Sequence, residues 1–537
     1  MRAPLGWPGM AVTAAPIHWP RAGALVRTPV VTPLGLGLLA AGSVLVRTVH
    51  FGTGFWVDEG LSVGIADRPI TDIPGVMRLD GSPPAYYLLL HLWIRLVGQT
   101  SEVATHALSL LLATLTIPVA WALVRALFGE RAGWIAAVLF AFNPFLNAYA
   151  QETRMYTLVV LLGLVSVACF VGAFALGRSR RWTIGFAVAH AALLWTHNWG
   201  IFLGFSLAVC WAVLALRATG DERRRIVREG LVAAGVIVIL YAAWIPTVLF
   251  QVAHTGAPWA NAPKLAQLGL APSRLLGGSG QWLLLIGAGA GLVPLLRERS
   301  RSWPPESRAA FATVLVALLT ILVPWVVSQV SPAWATRYLA VAVPPLLLGV
   351  TIGLSRAGRL GLAVLALTAL IWLGYNGNDE KSNVSDVAAS VAPSLARGDL
   401  VISTQPEQVP VFNHYLTEQG VTGLRWATLW GPLKDVGVTD WRDGVKHLEA
   451  TSPSRDLVPL LDATRPGQRV VLLQPDFSNL PNWRAPWLAL VRERSATWEE
   501  RMRNDRRFRV LSIAPTSSFP SHPNPVRTLV LVREPVG

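Results

Sequence analysis

The run TPLGLGLLAAGSVLVRTVHFGTGFWVDEG, Thr32 to Gly60, decides how the whole chain is read. Its first half is apolar and close to the length that crosses a bilayer. A Phe-Trp pair of the kind that settles at a membrane surface follows, and then two adjacent carboxylates, Asp58 and Glu59. Charges at a membrane edge are costly to place, so this pair calls for a reason.

The composition around that run agrees. Of 537 residues, 53% are hydrophobic and only 14% charged, with mean hydropathy +0.45, whereas a soluble domain carries nearer a quarter charged residues. Eleven apolar blocks lie between Thr32 and Tyr375. Of the net charge of +15, +3 lies from Lys381 onward and +12 before it, in loops between apolar blocks. That placement is a topology signal rather than a nucleic-acid footprint. If residues 1–30 form an inner tail, the inner loops hold the arginine groups at 125 and 131, 178–181, 217–228, 297–308, and 356 and 359. The outer loops hold far fewer basic residues. The expected localisation is therefore multi-pass in the plasma membrane, with Asp58 outside.

Three regions follow: the tail 1–30, a transmembrane region 31–378 with a long first outer loop 51–103, and an extracytoplasmic domain 379–537. In the loop, ITDIPGVMRLDG and SPPAYYLLLHLWIRLVG read as amphipathic helices in the interface, the second with Tyr87, His91 and Arg95 on one face. In the last region DLVIST, RVVLLQ, FRVLSIA and TLVLVRE read as strands and WLALVRERSATWEERMRND as a helix. These predict a small α/β fold. The two cysteines, Cys169 and Cys210, lie in apolar runs and give neither a disulfide framework nor zinc spacing. GGSG at Gly277–Gly280 lacks the following Lys-Ser/Thr of a phosphate loop.

Further polar residues recur at the outer ends of the spans. NAYAQETRMY brings Glu152 and Arg154, WTHNWG brings His197, and SPAWATRYL brings Arg337 and Tyr338. Taken singly, an interface arginine is an anchor and a lone histidine a satisfied polar group. Taken together, they place carboxylates and cations on one face. A base that takes a proton from a hydroxyl and cations that hold a leaving phosphate need that combination.

These stretches resemble the GT-C glycosyltransferases that use polyprenyl-phosphate sugars, including the family-39, protein O-mannosyltransferase-like bacterial enzymes. FWVDEG resembles their first-loop acidic motif, LDGSPPAYYLLLHLWIRLVG their Pro-Pro segment, AYAQETRMYTL their Gln-Glu-x-Arg-Met-Tyr motif, THNWG their Thr-His turn and TRYLAVAVPPL their Arg-Tyr stretch. The resemblance implies a polytopic α-helical GT-C-like protein of about eleven transmembrane helices with a C-terminal α/β extracytoplasmic domain. It implies transfer of a hexose or pentose, such as mannose, from a polyprenyl-phosphate donor to a glycan, lipid or protein of the cell envelope, with inversion. By the same resemblance Asp58 is the general base, supported by Glu59. Arg154, His197 and Arg337 hold the donor phosphate, with Asp80, Glu152, Tyr156 and Tyr338 in support. Glu152 has two readings, facing substrate or bridging Arg154. Ser82 stands where the family carries His, and Asn198 where it carries Tyr. No metal ligand set is predicted, a divalent ion being left open, and the lipid-linked donor is the one cofactor implied; no nucleic-acid partner is expected. The alternatives are a lipid-linked saccharide transporter and a non-catalytic scaffold.

Overall fold

The computed structural model describes residues 31–298, 303–375, 381–476, 485–514 and 525–535. The expected inner tail, Arg299, Arg301, Asp379 and Glu380 lie outside the described residues.

The described residues open on α1 (Val31–Arg47), followed in the first long loop by three short helices, α2 (Val57–Ala66), α3 (Ile73–Asp80) and α4 (Ala85–Val97). The bundle continues through α5 (Glu102–Phe128), α6 (Glu130–Phe142), α7 (Pro144–Tyr149), α8 (Tyr156–Phe170), α9 (Arg180–Thr196), α10 (Gly200–Arg217), α11 (Gly220–Tyr241) and α12 (Ile245–His254). It closes with α13 (Leu265–Leu276), α14 (Gly280–Arg297), α15 (Pro305–Val330), α16 (Val343–Arg356) and α17 (Gly358–Leu373). All eleven apolar blocks are helical, and seven of the helical segments, among the described residues, are long and apolar enough to cross a membrane. The other four blocks fall short for identifiable reasons. Residues 32–47 and 358–373 give single short apolar helices, and α9 has 17 residues and opens on two arginines. The block at 132–148 is cut by Asn143-Pro144, where Asn143 caps α7 through the Leu146 amide. Side chains such as Ile239, Val252, Ile286 and Val330 stand more than 70% exposed on the bundle, as lipid-facing residues do.

The first loop forms its two expected helices, but α4 presents the opposite face to its surroundings. Tyr87 and His91 are buried, and His91 Nδ1 donates to the Ala66 carbonyl at 2.8 Å. Leu92 and Leu96 are exposed, and of the polar face Arg95 stays exposed as well. Tyr87 and His91 serve the ends of α3 and α2 rather than water, because they carry the hydrogen-bonding groups those ends require.

The two ends of the bundle differ. At one, arginines pair with acids of neighbouring loops: Arg125 with Glu130, Arg308 with Glu222, Arg356 with Glu306 and Arg225 with Glu229. The other end carries α2, α3 and the C-terminal domain.

That domain is a six-stranded sheet of order β3-β2-β1-β4-β6-β5, made of β1 (Leu400–Ser403), β2 (Arg425–Thr428), β3 (Gly431–Pro432), β4 (Arg469–Pro475), β5 (Phe508–Ala514) and β6 (Val526–Arg533). β1 runs parallel to β2 and β4, while β6 pairs antiparallel with β4 and β5. Along β1, Val401 packs with α18 (Val384–Val391) and α19 (Val409–Glu418) on one face. Leu400 and Ile402 pack on the other face with α20 (Gly444–Glu449), α21 (Val458–Asp462) and α22 (Pro486–Arg503), as the two-residue strand period requires. Phe55 and Val63, from the first loop, belong to the α18–α19 core. The domain and the loop are therefore packed as one body.

Candidate active site

Helix α2 turns three faces to three neighbours, because successive helical residues point 100° apart. Asp58 faces a polar cavity. Glu59 is fully buried. Gly60 and Gly64 lie against the C-terminal domain: a Cβ on Gly60 would sit 2.6 Å from the Val411 Cα, and one on Gly64 2.5 Å from the Gly437 carbonyl oxygen. Both acids occupy the first turn of α2, where they complement its dipole.

Asp58 Oδ2 lies 3.3 Å from Arg337 Nε and 3.8 Å from Arg154 Nη2. Arg154 is further fixed by Nη1, which donates to the Asp58 carbonyl at 3.1 Å and to Ser62 Oγ at 2.9 Å. The Arg337 guanidinium lies 5.3 Å from the Trp56 ring, 4.8 Å from Trp259 and 5.3 Å from Tyr338. Asp58, Arg154, Arg337, Trp259 and Tyr338, with Asp80, Gly81, Ser82 and Trp441, line a cavity of about 100 Å³. Asp80 accepts from Tyr87 Oη at 3.5 Å, and burial raises its carboxyl against the pull of Arg154.

A second cavity of about 350 Å³ shares Gly81, Ser82, Arg154, Gly256 and Tyr338 with the first, and runs past His197 to Ile201, Phe202, Val248 and Val252. Ile201 and Val252 are exposed on the bundle surface, so this space opens between α10 and α12 toward the lipid side. At the junction, Gly81 has φ +91°, a left-handed conformation natural only to glycine. Its carbonyl accepts from Asn198 Nδ2 at 2.9 Å.

The surroundings of His197 favour its neutral form. Burial first, then Arg154 and Arg337, pull its imidazole down to about 3. Nδ1 accepts from the Trp199 amide at 3.0 Å, which leaves the proton on Nε2. The ring packs 5.0 Å from Tyr338 and 6.0 Å from Tyr156, whose hydroxyl is buried without a partner among the described residues.

Glu59 stands behind Asp58, away from the cavity. Its Oε1 accepts from the Thr153 amide at 2.7 Å and lies 2.7 Å from His106 Nε2. Lys381 Nζ donates to both oxygens, at 3.0 and 2.8 Å. Burial works against this carboxylate, but Lys381 and then His106 outweigh it and bring it down to about 2. Glu152 follows the opposite course: burial, then the nearby Glu59 charge, pushes it up to about 8. Its Oε2 is buried without a partner among the described residues, and its backbone carbonyl, not its carboxylate, accepts from Arg154. Of the two readings of Glu152, the side-chain bridge to Arg154 is not formed among the described residues.

Lys381 and Trp441 escaped the sequence reading. Lys381 had a signal, being one of only four lysines in the chain, placed just after the last apolar block. Trp441 had none, since only folding brings residue 441 beside residue 58. Among the described residues no group of three or more His, Cys, Asp or Glu could hold a metal ion.

The profile of the family described as dolichyl-phosphate-mannose-protein mannosyltransferase matches residues 81–249. No curated protein matches the chain by sequence. Among solved structures, ArnT from Cupriavidus metallidurans in the apo state superposes with a TM-score of 0.59 at 14% identity, covering 93% of this chain and 98% of its own. The chain has the GT-C superfamily fold. Other GT-C structures agree. ArnT bound to undecaprenyl phosphate gives 0.56 at 15% identity, covering 93% and 97%. The Archaeoglobus fulgidus oligosaccharyltransferase tethered to an acceptor peptide gives 0.52 at 11%, covering 85% and 71%.

Proposed function

We propose that this GT-C chain is a glycosyltransferase that moves a hexosyl or pentosyl unit from a polyprenyl-phosphate donor to a hydroxyl group of a cell-envelope glycan, lipid or protein. The observation that carries this reading is the meeting of Asp58, Arg154 and Arg337 in one cavity, joined to a second cavity that opens toward lipid. Undecaprenyl phosphate bound to an ArnT of the same fold supports this class of donor.

In the proposed step the donor tail lies along Val248, Val252 and Ile201, and its phosphate sits between Arg154, Arg337 and the Nε2–H of His197. The sugar occupies the polar cavity beside Asp80. Asp58 takes the proton of the acceptor hydroxyl. The acceptor oxygen forms its bond to the anomeric carbon from the face opposite the phosphate, while the bond from that carbon to the phosphate oxygen breaks. The electron pair leaves on polyprenyl phosphate, and the two guanidiniums and the imidazole N–H stabilise the added charge. Attack from the opposite face inverts the centre. Tyr156 and Tyr338 hold the Arg154–His197–Arg337 group in place by ring packing.

The excess of arginine at the end opposite the site supports an inner location for that end. The reaction then takes place at the outer face of the plasma membrane, with the C-terminal domain extracytoplasmic. The test is transfer from a synthetic polyprenyl-phosphate sugar in proteoliposomes. A new glycosidic bond in the wild type that disappears in Asp58→Asn is expected; movement of donor across the bilayer with no new bond would reject the reading in favour of a transporter.

A further inference from the structure

We propose that Lys381, the first described residue of the C-terminal domain, is a positioning residue for the transfer step: it locks the base-bearing helix to the loop that carries the phosphate-binding arginine. The inference rests on the transferase reading and goes beyond it, because it makes the C-terminal domain part of the catalytic centre.

Lys381 is buried, and its ammonium meets three separate pieces of chain. It donates to both Glu59 oxygens on α2, and to the Gln151 carbonyl at 2.8 Å, and lies 3.2 Å from His106 Nε2 on α5. Gln151 opens the Gln151–Arg154 segment, and Thr153 of that segment donates its amide to Glu59. One ammonium therefore joins α2 to the Arg154 loop from behind. Arg154 joins them from the front by donating to the Asp58 carbonyl and to Ser62. Asp58 and Glu59 are neighbours on one helical turn, so fixing Glu59 inward sets the direction in which Asp58 points. His106 Nδ1 donates to the Phe51 carbonyl at 2.8 Å, which ties the start of the loop to the same node.

The C-terminal domain holds α2 at further points independent of Lys381. Ser382 Oγ donates to the Phe55 carbonyl at 2.7 Å, and Arg68 pairs with Asp435 at 2.8 Å. Tyr415 Oη accepts from the Phe55 amide and donates to Glu102 at 2.7 Å. The same domain supplies Trp441 to the cavity wall, where its amide donates to the Leu79 carbonyl at 3.0 Å. A buried ion pair is weak evidence for stability, since neutral or apolar replacements of such pairs are often neutral or stabilising. What this pair holds is a geometry, and a misplacement of about 1 Å in a reacting group costs on the order of 10²-fold in rate.

The test compares Lys381→Met, the charge-balanced double variant Lys381→Met with Glu59→Gln, and wild type, each as full-length chain in nanodiscs. The single variant strands a buried carboxylate and is expected to lower the unfolding midpoint. The double variant removes that charge and is expected to recover the midpoint. Its turnover should stay on the order of 10²-fold down with the donor KM within about threefold, and amide exchange should rise at Thr153 and along Glu59–Leu61. Near-wild-type turnover in the double variant overturns the proposal, and so does its failure to fold, which would assign Lys381 to stability alone. A wild-type chain without transfer activity would sink the transferase reading instead. In that event the exchange data still decide whether Lys381 orders α2 against the Arg154 loop: unchanged protection in the double variant rejects that ordering.

Discussion

Asp58 Oδ2 and Arg337 Nε stand 3.3 Å apart although 279 positions separate them in the sequence. Arg337 is held there by aromatic faces from three parts of the chain, Trp56, Trp259 and Tyr338. The carboxylate that would take a proton and the cation that would receive the leaving phosphate are thus ordered against each other before any substrate arrives, and Arg154 flanks the same oxygen.

Asp58→Asn keeps the side-chain shape and removes the proton acceptor. Transfer is expected to fall by roughly 10²–10⁴-fold, the usual contribution of general base catalysis. Donor affinity is expected to hold or to rise, because the site's positive charge is no longer balanced. Single-turnover transfer beside equilibrium donor binding checks both, and a rate within tenfold of wild type would remove Asp58 from the chemistry.

Arg337→Lys preserves charge but loses the planar group that packs among the three aromatic rings. A hydrogen bond to a charged group is worth about 1.5–3 kcal/mol, so donor kcat/KM is expected to fall roughly 10- to 100-fold. Donor titration at fixed acceptor measures it. An unchanged value would mean that point charge alone suffices.

In the proposed step His197 donates from a neutral imidazole, so His197→Gln, which retains an N–H, is expected to lose less than His197→Ala. With the imidazole at about 3, no limb of the pH–rate profile between pH 5 and 8 should disappear in either variant. Loss of such a limb would show that His197 titrates in that range.

Glu152 sets the sign of one pH effect on stability. Its carboxyl moves from 4.5 to about 8 on folding, so the native state binds the proton more tightly than the unfolded chain. Stability from this group is present below pH 4.5 and is lost as pH rises toward 8. Unfolding midpoints of Glu152→Gln minus wild type are expected to grow between pH 5 and 8. Glu59, lowered to about 2, acts oppositely: its contribution is present above 4.5 and is lost on acidification toward 2. A Glu152→Gln difference that is flat with pH would show that the carboxyl is charged in the native protein.

Gly60→Ala places a methyl 2.4 Å from Val411 Cβ and 2.6 Å from its Cα. The backbone contact cannot yield by rotating a side chain, so α2 and α19 must separate. A cost of about 1–3 kcal/mol, typical of overpacking, is expected in unfolding experiments. Gly75, with open space around its Cβ position, serves as the control.

Much of this architecture could be read in the linear chain. The eleven apolar blocks are all helical, four of the six strands stand where alternation and β-branched residues place them, and β2 and β3 were missed because RWAT and GP are too short for a periodic signal. The polar residues at the ends of the spans were legible because lipid makes every such residue conspicuous. The partners behind them were not. His106 and Lys381 converge on Glu59 from 47 and 322 positions away, and a pairing at that distance leaves no local pattern. The neighbours of α4 were not legible for a related reason: periodicity gives a helix its polar side but not the neighbour that side will meet.

By itself the sequence determined which segments form the apolar helices and which charges gather at their ends, because hydropathy and propensity act over a few neighbouring residues. Only the tertiary structure decided that Asp58 faces the cavity while Glu59 turns back to Lys381, and that His197 is buried beside two arginines that favour its neutral form. Those outcomes depend on burial and on fields summed from residues far apart in the chain, which exist only once the chain has packed.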